Sequence, residues 1–233
     1  MGDPADITII VPILNEEAIA EALIGRLGGY GVSEILIVDG GSTDDTLKII
    51  RASNKVRVIE SEPGRARQLQ SGAEQAKASW LLFLHADTIL PERFVTEVIQ
   101  AERGRYVWGR FDVKFSPEAR WFDKAMAVIA FFMNLRSRWS GIATGDQAMF
   151  VQRRIFSRMG GFAMVPLMED IELSKRLKVE GKPYCSKHRV TTSARRWKLN
   201  GVLKTVMQMW SLRLAYFVGI DPSLLAHYYR QAK

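Results

Sequence analysis

The sequence predicts an α/β fold in which helices cover both faces of a mostly parallel sheet. Four short apolar segments alternate with helical segments between Ile7 and Leu84. Within these segments polar and apolar residues do not alternate, which indicates strands that are buried on both faces. The chain has 233 residues, a length that favours one large domain with a C-terminal extension.

Strands and helices follow each other regularly in the first half of the chain. The first predicted strand, Ile7 to Val11, is rich in β-branched residues and is stopped by Pro12. The helix that follows ends at Gly28 and Gly29, because glycine favours helix termination. The predicted strands are residues 7–11, 34–38, 56–60 and 80–84, and the predicted helices are residues 15–27, 44–51 and 65–78.

The second half is less regular. Its predicted strands are residues 106–115 and 148–151, and its predicted helices are residues 121–138, 170–180 and 199–218. The last helix is amphipathic, since its large apolar residues share one helical face. These residues are Leu203, Met207, Trp210, Leu214 and Phe217.

The loss of regularity near residue 105 divides the chain. Residues 1–198 are expected to form one domain, with a nucleotide-binding half over residues 1–105 and an acceptor half over residues 106–198. Residues 199–233 are expected to form a C-terminal amphipathic helical extension. The sequence contains no internal repeat and no low-complexity linker.

Composition and charge exclude several classes of protein. Hydrophobic residues make up 47% and charged residues 25%, which excludes a disordered or collagen-like chain. Cys185 is the only cysteine, so no internal disulfide can form. The net charge of +8 attracts anionic partners, which include nucleic acid, anionic lipid and phosphate-bearing substrates. Charge alone does not choose among them.

The expected location is cytoplasmic. The segment from Met1 to Asp6 carries acidic residues and no basic residue before the first apolar run, so we do not expect a cleaved signal peptide. The longest fully apolar run, Ala125 to Met133, has nine residues. A membrane-spanning helix needs about 20.

Four polar clusters follow the predicted strands of the first half. In parallel α/β sheets, ligands bind beyond the carboxyl ends of the strands. Helix capping or turn formation explains any single cluster, but four along one edge indicate a ligand site. The clusters are Asn15-Glu16-Glu17, Asp39-Gly40-Gly41-Ser42, Gly64-Arg65-Ala66-Arg67 and His85-Ala86-Asp87.

The clusters contain no known phosphate-binding fingerprint. Neither G-x-G-x-x-G nor G-x-x-x-x-G-K-[ST] occurs, which weighs against a dinucleotide-dependent oxidoreductase and a P-loop protein. Instead, one carboxylate follows the second strand and another follows the fourth. Asp39 is suited to accept hydrogen bonds from a base or a ribose. Asp87, near arginines, suits a divalent cation that neutralises a diphosphate.

The motifs, taken in order, resemble those of family 2 glycosyltransferases, which have the Rossmann-like GT-A fold. They are Pro12-Ile13-Leu14-Asn15-Glu16-Glu17, the run from Val38 to Thr46, Leu84-His85-Ala86-Asp87-Thr88 and Met168-Glu169-Asp170. Three further segments are similar to a small bacterial subgroup, the arsenosugar-biosynthesis glycosyltransferases. They are Gly145-Asp146-Gln147, Gly160-Gly161-Phe162 and Thr192 to Trp197.

This resemblance implies inverting transfer of a sugar from a nucleotide-diphosphate-sugar to an acceptor hydroxyl. Asp170 would be the general base and Glu169 would orient it or the acceptor. A helix N-cap is the structural alternative for Asp170. Mg²⁺ or Mn²⁺ would be held at Asp87. The residues implied to bind the nucleotide-sugar are Pro12, Asn15, Glu17, Asp39, Arg65, Arg67, His85 and Asp87.

The sequence departs from the family pattern at two places. His85 stands where the family's Asp-x-Asp motif has its first aspartate. Ser193 stands where processive members have the glutamine of a Gln-x-x-Arg-Trp motif, so a long polymer product is poorly supported. The residues expected to contact the acceptor or a phosphate are Asp146, Arg195, Arg196 and Trp197.

Two other functions compete with sugar transfer. A nucleotidyltransferase acting on a sugar phosphate also pairs a Rossmann-like half with carboxylates and a metal. It usually has a glycine-rich basic loop after the first strand, where this chain has Pro12 to Glu17. A nucleic-acid-binding protein is favoured only by net charge, and no nucleic-acid motif is present, so no nucleic-acid partner is expected.

Residues 199–218 allow two interpretations. Packing of the apolar face against the core is the favoured one. The alternative is an exposed face that contacts a membrane or a second copy of the chain. Lys198, Lys204 and Arg213 would then attract anionic lipid. In that case the protein would lie peripherally on the inner membrane face.

Overall fold

A computed structural model describes residues 5–117 and 119–231. The ends of the predicted domain and of the predicted extension, residues 1–4 and 232–233, lie outside this part. The strands are β1 (Ala5–Ile13), β2 (Val32–Asp39), β3 (Arg57–Glu60), β4 (Trp80–Phe83), β5 (Trp108–Phe115), β6 (Phe150–Gln152) and β7 (Tyr184–Thr192). They form a sheet in the order β3-β2-β1-β4-β6-β5-β7.

The described helices flank this sheet and continue beyond it at the C-terminal end. They are α1 (Glu17–Leu27), α2 (Thr46–Arg51), α3 (Arg65–Gln75), α4 (Phe94–Arg103), α5 (Arg120–Ser140), α6 (Arg153–Arg158), α7 (Glu169–Glu180), α8 (Arg195–Asn200), α9 (Val202–Phe217) and α10 (Pro222–Gln231). A short 3-10 helix covers Gly145–Gln147. The predicted α/β fold with C-terminal helices is confirmed.

Strands β1 to β4 form the parallel part of the sheet; β1, β4 and the second half of β2 are buried on both faces, whereas β3, at the sheet edge, is partly exposed. β1 pairs in parallel with β2 and β4, and β2 pairs in parallel with β3. Ile9 and Ile37 belong to the core on one face, whereas Ile10 and Leu36 belong to the core on the other. The absence of polar alternation in these strands therefore has the predicted cause. Their carboxyl ends meet at one edge of the sheet.

The other strands make the sheet mixed. β6 is antiparallel to both β4 and β5, and β7 is parallel to β5. The sequence analysis missed β7 because its polar residues, among them Lys187, His188 and Arg189, are exposed at the sheet edge. It also missed α4. The helix expected over 199–218 is interrupted at Gly201, whose φ of 80° is left-handed and separates α8 from α9.

The favoured interpretation of the C-terminal helix, core packing of its apolar face, is wrong. Leu203, Met207, Trp210, Leu214 and Phe217 are each between 64% and 80% exposed. The buried side of α9 is narrower than this exposed apolar face. On the buried side, Leu212 packs against Met168, Ile171 and Leu225. Within the described residues, none of the helices combines the length and the hydropathy that crossing a membrane requires.

An asparagine on α5 fixes this helix to the sheet. β6 pairs only with Trp108 and Gly109 of β5, so further along β5 the main chain has no strand neighbour on that side. There, buried Asn134 accepts a hydrogen bond from the N–H of Val113 at 2.8 Å and donates one to its carbonyl at 3.0 Å. Asn134 thus replaces a missing strand and sets the position of α5.

We expect Asn134→Ala to lower the free energy of unfolding by about 1–3 kcal/mol, because two buried main-chain groups of Val113 lose their partner. Urea denaturation measures the change. Asn54→Ala, at an exposed turn, is the matched control and should change stability by less than about 0.5 kcal/mol. Equal losses in the two variants would contradict this role.

Candidate active site

The loop after β2 is organised by the buried carboxylate of Asp39. Its Oδ2 accepts hydrogen bonds from the N–H groups of Gly41 and Ser42, each at 2.9 Å, and its Oδ1 accepts the Ser42 hydroxyl at 2.5 Å. Gln68 donates to the carbonyls of Ile13 and Val38, at 2.7 and 2.8 Å, and thereby joins the ends of β1 and β2. Asp39 therefore has a demonstrable role in shaping this loop.

The segment after β1 is bonded to the same loop. Asn15 has a left-handed φ of 53°, and its Oδ1 accepts the N–H of Thr43 at 2.8 Å. Glu17 accepts the N–H of Asp45 at 3.3 Å, at the beginning of α2. Half-buried Pro12 lies opposite Val38 in the sheet. The structure thus places Pro12, Asn15 and Glu17 at the predicted edge.

His85 pairs with an aspartate from the second half of the chain. Its Nδ1 lies 3.3 Å from Oδ1 of Asp146, in the 3-10 helix. A Cβ atom on Gly145 would lie 2.4 Å from His85 Nε2, so the close approach requires glycine. Burial raises the pKa of Asp146, but the hydrogen bond and charge of His85 and the charges of Arg65 and Arg196 bring the pKa below its ordinary value. His85 and Asp146 therefore form a pair that joins the end of β4 to the 3-10 helix.

Asp87 is exposed just beyond β4. Its Oδ1 accepts a hydrogen bond from Thr88 at 3.3 Å, and no ion pair to it occurs within residues 5–117 and 119–231. Among the described side chains, no three of the types His, Cys, Asp and Glu are grouped closely enough to hold a metal ion by themselves. Asp87 can supply one hard oxygen ligand to a cation that also binds phosphate oxygens.

Glu169 and Asp170 begin α7. The N-cap of this helix is Met168, with a left-handed φ of 68°, so the predicted capping role of Asp170 is wrong. Asp170 lies inside the first turn. Its Oδ2 accepts the N–H of Gly145 at 2.8 Å, and its Oδ1 accepts the N–H of Ile171 at 2.7 Å. These two bonds fix the orientation of the carboxylate.

Glu169 is buried beside an arginine. Its side chain is 7% exposed, and its Oε1 lies 3.7 Å from Nη1 of Arg65. Burial, and next the charge of Asp170, raise the pKa of Glu169 above its ordinary value, against the opposing charge of Arg65. Partial desolvation acts to lower the pKa of Arg65, but Glu169, Asp146 and Asp170 outweigh it and raise this pKa.

The remaining predicted contacts divide into two groups. Arg196 is within electrostatic reach of Asp146 and stacks on Tyr229 at 4.5 Å from the ring centroid. The other three residues, Arg67, Arg195 and Trp197, have neighbours outside this group of charges. Arg67 pairs with Glu62 at 2.5 Å, Arg195 is exposed, and Trp197 packs edge-on against Phe115 at 5.7 Å between ring centroids. The contacts of the described residues do not bring these three side chains to Asp170.

Two arginines near the carboxylates were not predicted as site residues. Burial, followed by the positive charge of Arg213, lowers the pKa of Arg136 to about 10, and Asp170 opposes this shift. Burial also lowers the pKa of Arg213, against the charges of Asp170 and Asp146. The sequence carries no specific signal for them, because α5 and α9 contain other charged residues as well, among them Lys124, Arg138 and Lys204.

Comparison with known proteins identifies relatives over most of the chain. The model of a family described as Glycosyl transferase family 2 matches residues 8–164. A PGL/p-HBAD biosynthesis glycosyltransferase of Mycobacterium tuberculosis is 31% identical in an alignment of length 171 that covers 66% of this chain and 62% of the relative. A glucosyl-3-phosphoglycerate synthase of the same species is 30% identical over 97 residues, covering 36% of this chain and 30% of the relative. The chain thus spans less than two thirds of these relatives.

Solved structures share the fold at low sequence identity. A mannosyltransferase from Pyrobaculum calidifontis, in complex with GDP-Man and Mn²⁺, has a TM-score of 0.61 and 18% identity. The similarity covers 81% of this chain and 56% of that one. Glucosyl-3-phosphoglycerate synthase from Mycobacterium tuberculosis, in complex with Mn²⁺, UDP and phosphoglyceric acid, has a TM-score of 0.55 and 18% identity. It covers 80% of this chain and 69% of that one.

Proposed function

The chain belongs to Glycosyl transferase family 2, and we propose that it transfers a sugar from a nucleotide-diphosphate-sugar to an acceptor hydroxyl with inversion. The observation that carries this proposal is the position of Asp170. Its carboxylate is held by Gly145 beside the strand-end edge, and the same turn carries Asp146 to His85 after β4. A base from the second half of the chain therefore lies next to the loops suited to a nucleotide.

The nucleotide-sugar would lie along the ends of β1, β2 and β4, within residues 1–105. Asp39, Asn15 and Glu17 shape the loops there. Arg65 and Arg67 are exposed and would bind phosphate oxygens, which a guanidinium matches with paired donors, in exchange for their present partners Glu169 and Glu62. The donors and nucleotides of similar solved structures, GDP-Man and UDP, support a nucleotide-sugar donor.

Asp87 would hold Mg²⁺ or Mn²⁺ together with the diphosphate of the donor. Its exposed carboxylate, which has no ion pair within the described chain, fits this use, because such cations take few protein oxygens and complete their coordination with phosphate and water. The Mn²⁺ ions in similar structures support metal assistance. A bound cation supplies charge neutralisation to the leaving diphosphate.

Asp170 would remove the proton from the acceptor hydroxyl as its oxygen attacks the anomeric carbon. Inversion in one displacement requires a single base on the acceptor side. Hydrogen bonds from Gly145 and Ile171 orient Asp170, and Glu169, anchored near Arg65, positions the acceptor or the base. Arg196 and Asp146, with Arg195 and Trp197 nearby in sequence, would line the acceptor side in residues 106–198.

Two finer assignments remain predictions. The likeness to arsenosugar-biosynthesis glycosyltransferases depends on segments such as Gly145-Asp146-Gln147, and Asp146 of this segment pairs with His85. A nucleotidyltransferase acting on a sugar phosphate is the alternative function. Membership in a family of glycosyl transferases favours sugar transfer over it.

We expect Asp170→Asn to lower the rate of sugar transfer by about 10²- to 10⁴-fold, because the amide cannot accept the acceptor proton. Turnover is followed as release of nucleoside diphosphate. Asp6→Asn, at an exposed position near the opposite end of β1, is the matched control and should keep the wild-type rate. A folded Asp170→Asn protein with near-normal turnover would contradict the assignment.

Asp87→Asn should remove the Mn²⁺ dependence of nucleotide binding, because a neutral amide is a poorer ligand for a hard cation than a carboxylate. Calorimetric titration with UDP and GDP, each with Mn²⁺ and with a chelator, measures it. In the wild type and in the Asp6→Asn control, Mn²⁺ should tighten binding of the preferred nucleotide. If Asp87→Asn keeps the same tightening, Asp87 does not hold the cation.

The exposed apolar face of α9 supports peripheral contact with an anionic lipid surface. Residues 195–220 contain no acidic residue, and three of their basic residues, Arg195, Lys198 and Lys204, are exposed, whereas Arg213, expected to attract lipid, is enclosed. Phe122 and Met126 of α5 pack with Trp197 and Val202, so α5 lies beside α8 and the start of α9. Exposed aromatic side chains on α5, Trp121, Phe131, Phe132 and Trp139, add apolar surface. Such a combination favours an interfacial location.

We expect the protein to sediment with vesicles that contain anionic lipid at low salt and less so at high salt, since each basic residue contributes about 1 kcal/mol near the surface. Trp210→Glu should reduce sedimentation without unfolding, and Val179→Glu, exposed on α7, is the control. No sedimentation would contradict this contact. If the wild type does not bind vesicles but forms a dimer that Trp210→Glu abolishes, the apolar face of α9 contacts a second copy of the chain.

A further inference from the structure

Arg136 and Arg213 bring unpaired positive charge to the acceptor side of the site. Neither forms an ion pair with a carboxylate in the part of the chain that the structure describes. Nε and Nη2 of Arg136 and Nε of Arg213 are enclosed by protein and have no hydrogen-bond partner there. Enclosed donors without acceptors are costly, because they have lost water and gained nothing in exchange.

The packing of α5 and α9 explains why these arginines lie near Asp170. Leu212, which precedes Arg213, packs against Met168 and Ile171, on either side of the Glu169-Asp170 pair. α5 ends at Ser140, and the chain then leads through Ile142 of the same cluster to Gly145, which bonds Asp170. Helices α5 and α9 thus each place one arginine in the region next to the proposed base.

The charges of this region do not balance. His85 pairs with Asp146, and Arg65 lies nearest to Glu169, which leaves Asp170 as the carboxylate acting on both Arg136 and Arg213. The acidic groups here are Asp146, Glu169 and Asp170, and the guanidinium groups are Arg65, Arg136, Arg196 and Arg213. Arg110, which also acts on Arg136, shares the carboxylate of Asp112 with Arg138 and so adds no negative charge. Even with every carboxylate ionised, positive charge is in excess.

We propose that Arg136 and Arg213 bind an anionic group of the acceptor, a phosphate or a carboxylate. This inference rests on the proposed function and names the chemical class of its acceptor. Guanidinium groups hold such oxygens through paired, charge-assisted hydrogen bonds. The diphosphate of the donor offers the same chemistry. The acceptor is favoured because both arginines come from helices beyond residue 105, whereas the nucleotide would meet the loops after β1, β2 and β4.

Binding of inorganic phosphate tests the proposal without requiring turnover. Titration calorimetry in the presence of a chelator compares the wild type with Arg136→Gln and Arg213→Gln. Each variant should raise the dissociation constant for phosphate by about tenfold or more, since each removes charge-assisted hydrogen bonds. Arg103→Gln, an exposed arginine on α4, is the matched control and should bind phosphate as the wild type does.

Two further measurements separate an anion site from a structural role. Without phosphate, Arg136→Gln should be at least as stable to heat as the wild type, because it relieves repulsion between two enclosed like charges. Arg136→Lys, which keeps the positive charge but loses the paired N–H donors of the guanidinium, should show an intermediate affinity for phosphate. If Arg136→Gln fails to fold, Arg213→Gln and Arg136→Lys carry the comparison.

Titration of phosphate into protein saturated with UDP and Mn²⁺ distinguishes the two sources of the anion. We expect phosphate still to bind, and UDP affinity to change less than about twofold in both variants. If UDP expels phosphate and both variants weaken UDP, the arginines serve the donor diphosphate and the acceptor assignment is overturned. If neither Arg136→Gln nor Arg213→Gln changes the affinity for phosphate, the proposed anion site is overturned. If phosphate binding depends on the arginines but Asp170→Asn keeps normal turnover, the proposed base fails and the anion site stands.

Discussion

The hydrogen bond from the N–H of Gly145 to Oδ2 of Asp170, 2.8 Å long, joins the two halves of the site. Gly145 opens the 3-10 helix whose next residue, Asp146, pairs with His85 beyond β4. One turn therefore sets the distance between the loops suited to a nucleotide and the proposed base. A side chain at Gly145 would meet His85 at 2.4 Å, so the turn tolerates only glycine without a shift.

The charges around this turn explain its chemistry. Buried Glu169 has a raised pKa, and Asp146 has a lowered one, although both lie within reach of Arg65. The difference comes from their neighbours, because Glu169 adjoins Asp170 whereas Asp146 faces His85. Positive charge from Arg136 and Arg213 then exceeds what Asp170 alone can balance. A site with this excess is suited to ligands that bring negative charge.

Sequence reasoning succeeded where local pattern determines structure. The buried strands β1, β2 and β4 have continuous apolar runs, and the polar residues after them lie at the expected edge. It failed where tertiary packing decides. The edge strand β7 has no apolar run, Arg136 and Arg213 reach the site only because α5 and α9 dock beside α7, and the broad apolar face of α9 is exposed because Leu212 packs inward. The role of Asp170 in transfer stays a prediction, although its position at the start of α7 is established.

Analysis of the products formed from a panel of nucleotide-diphosphate-sugars with Mn²⁺ tests the central claim most directly. Chromatography of the nucleotide identifies the bond that is cleaved, and NMR of the released or transferred sugar gives its anomeric configuration. The account predicts nucleoside diphosphate together with a sugar of inverted configuration. Release of nucleoside monophosphate or pyrophosphate, or retention of configuration, would contradict it.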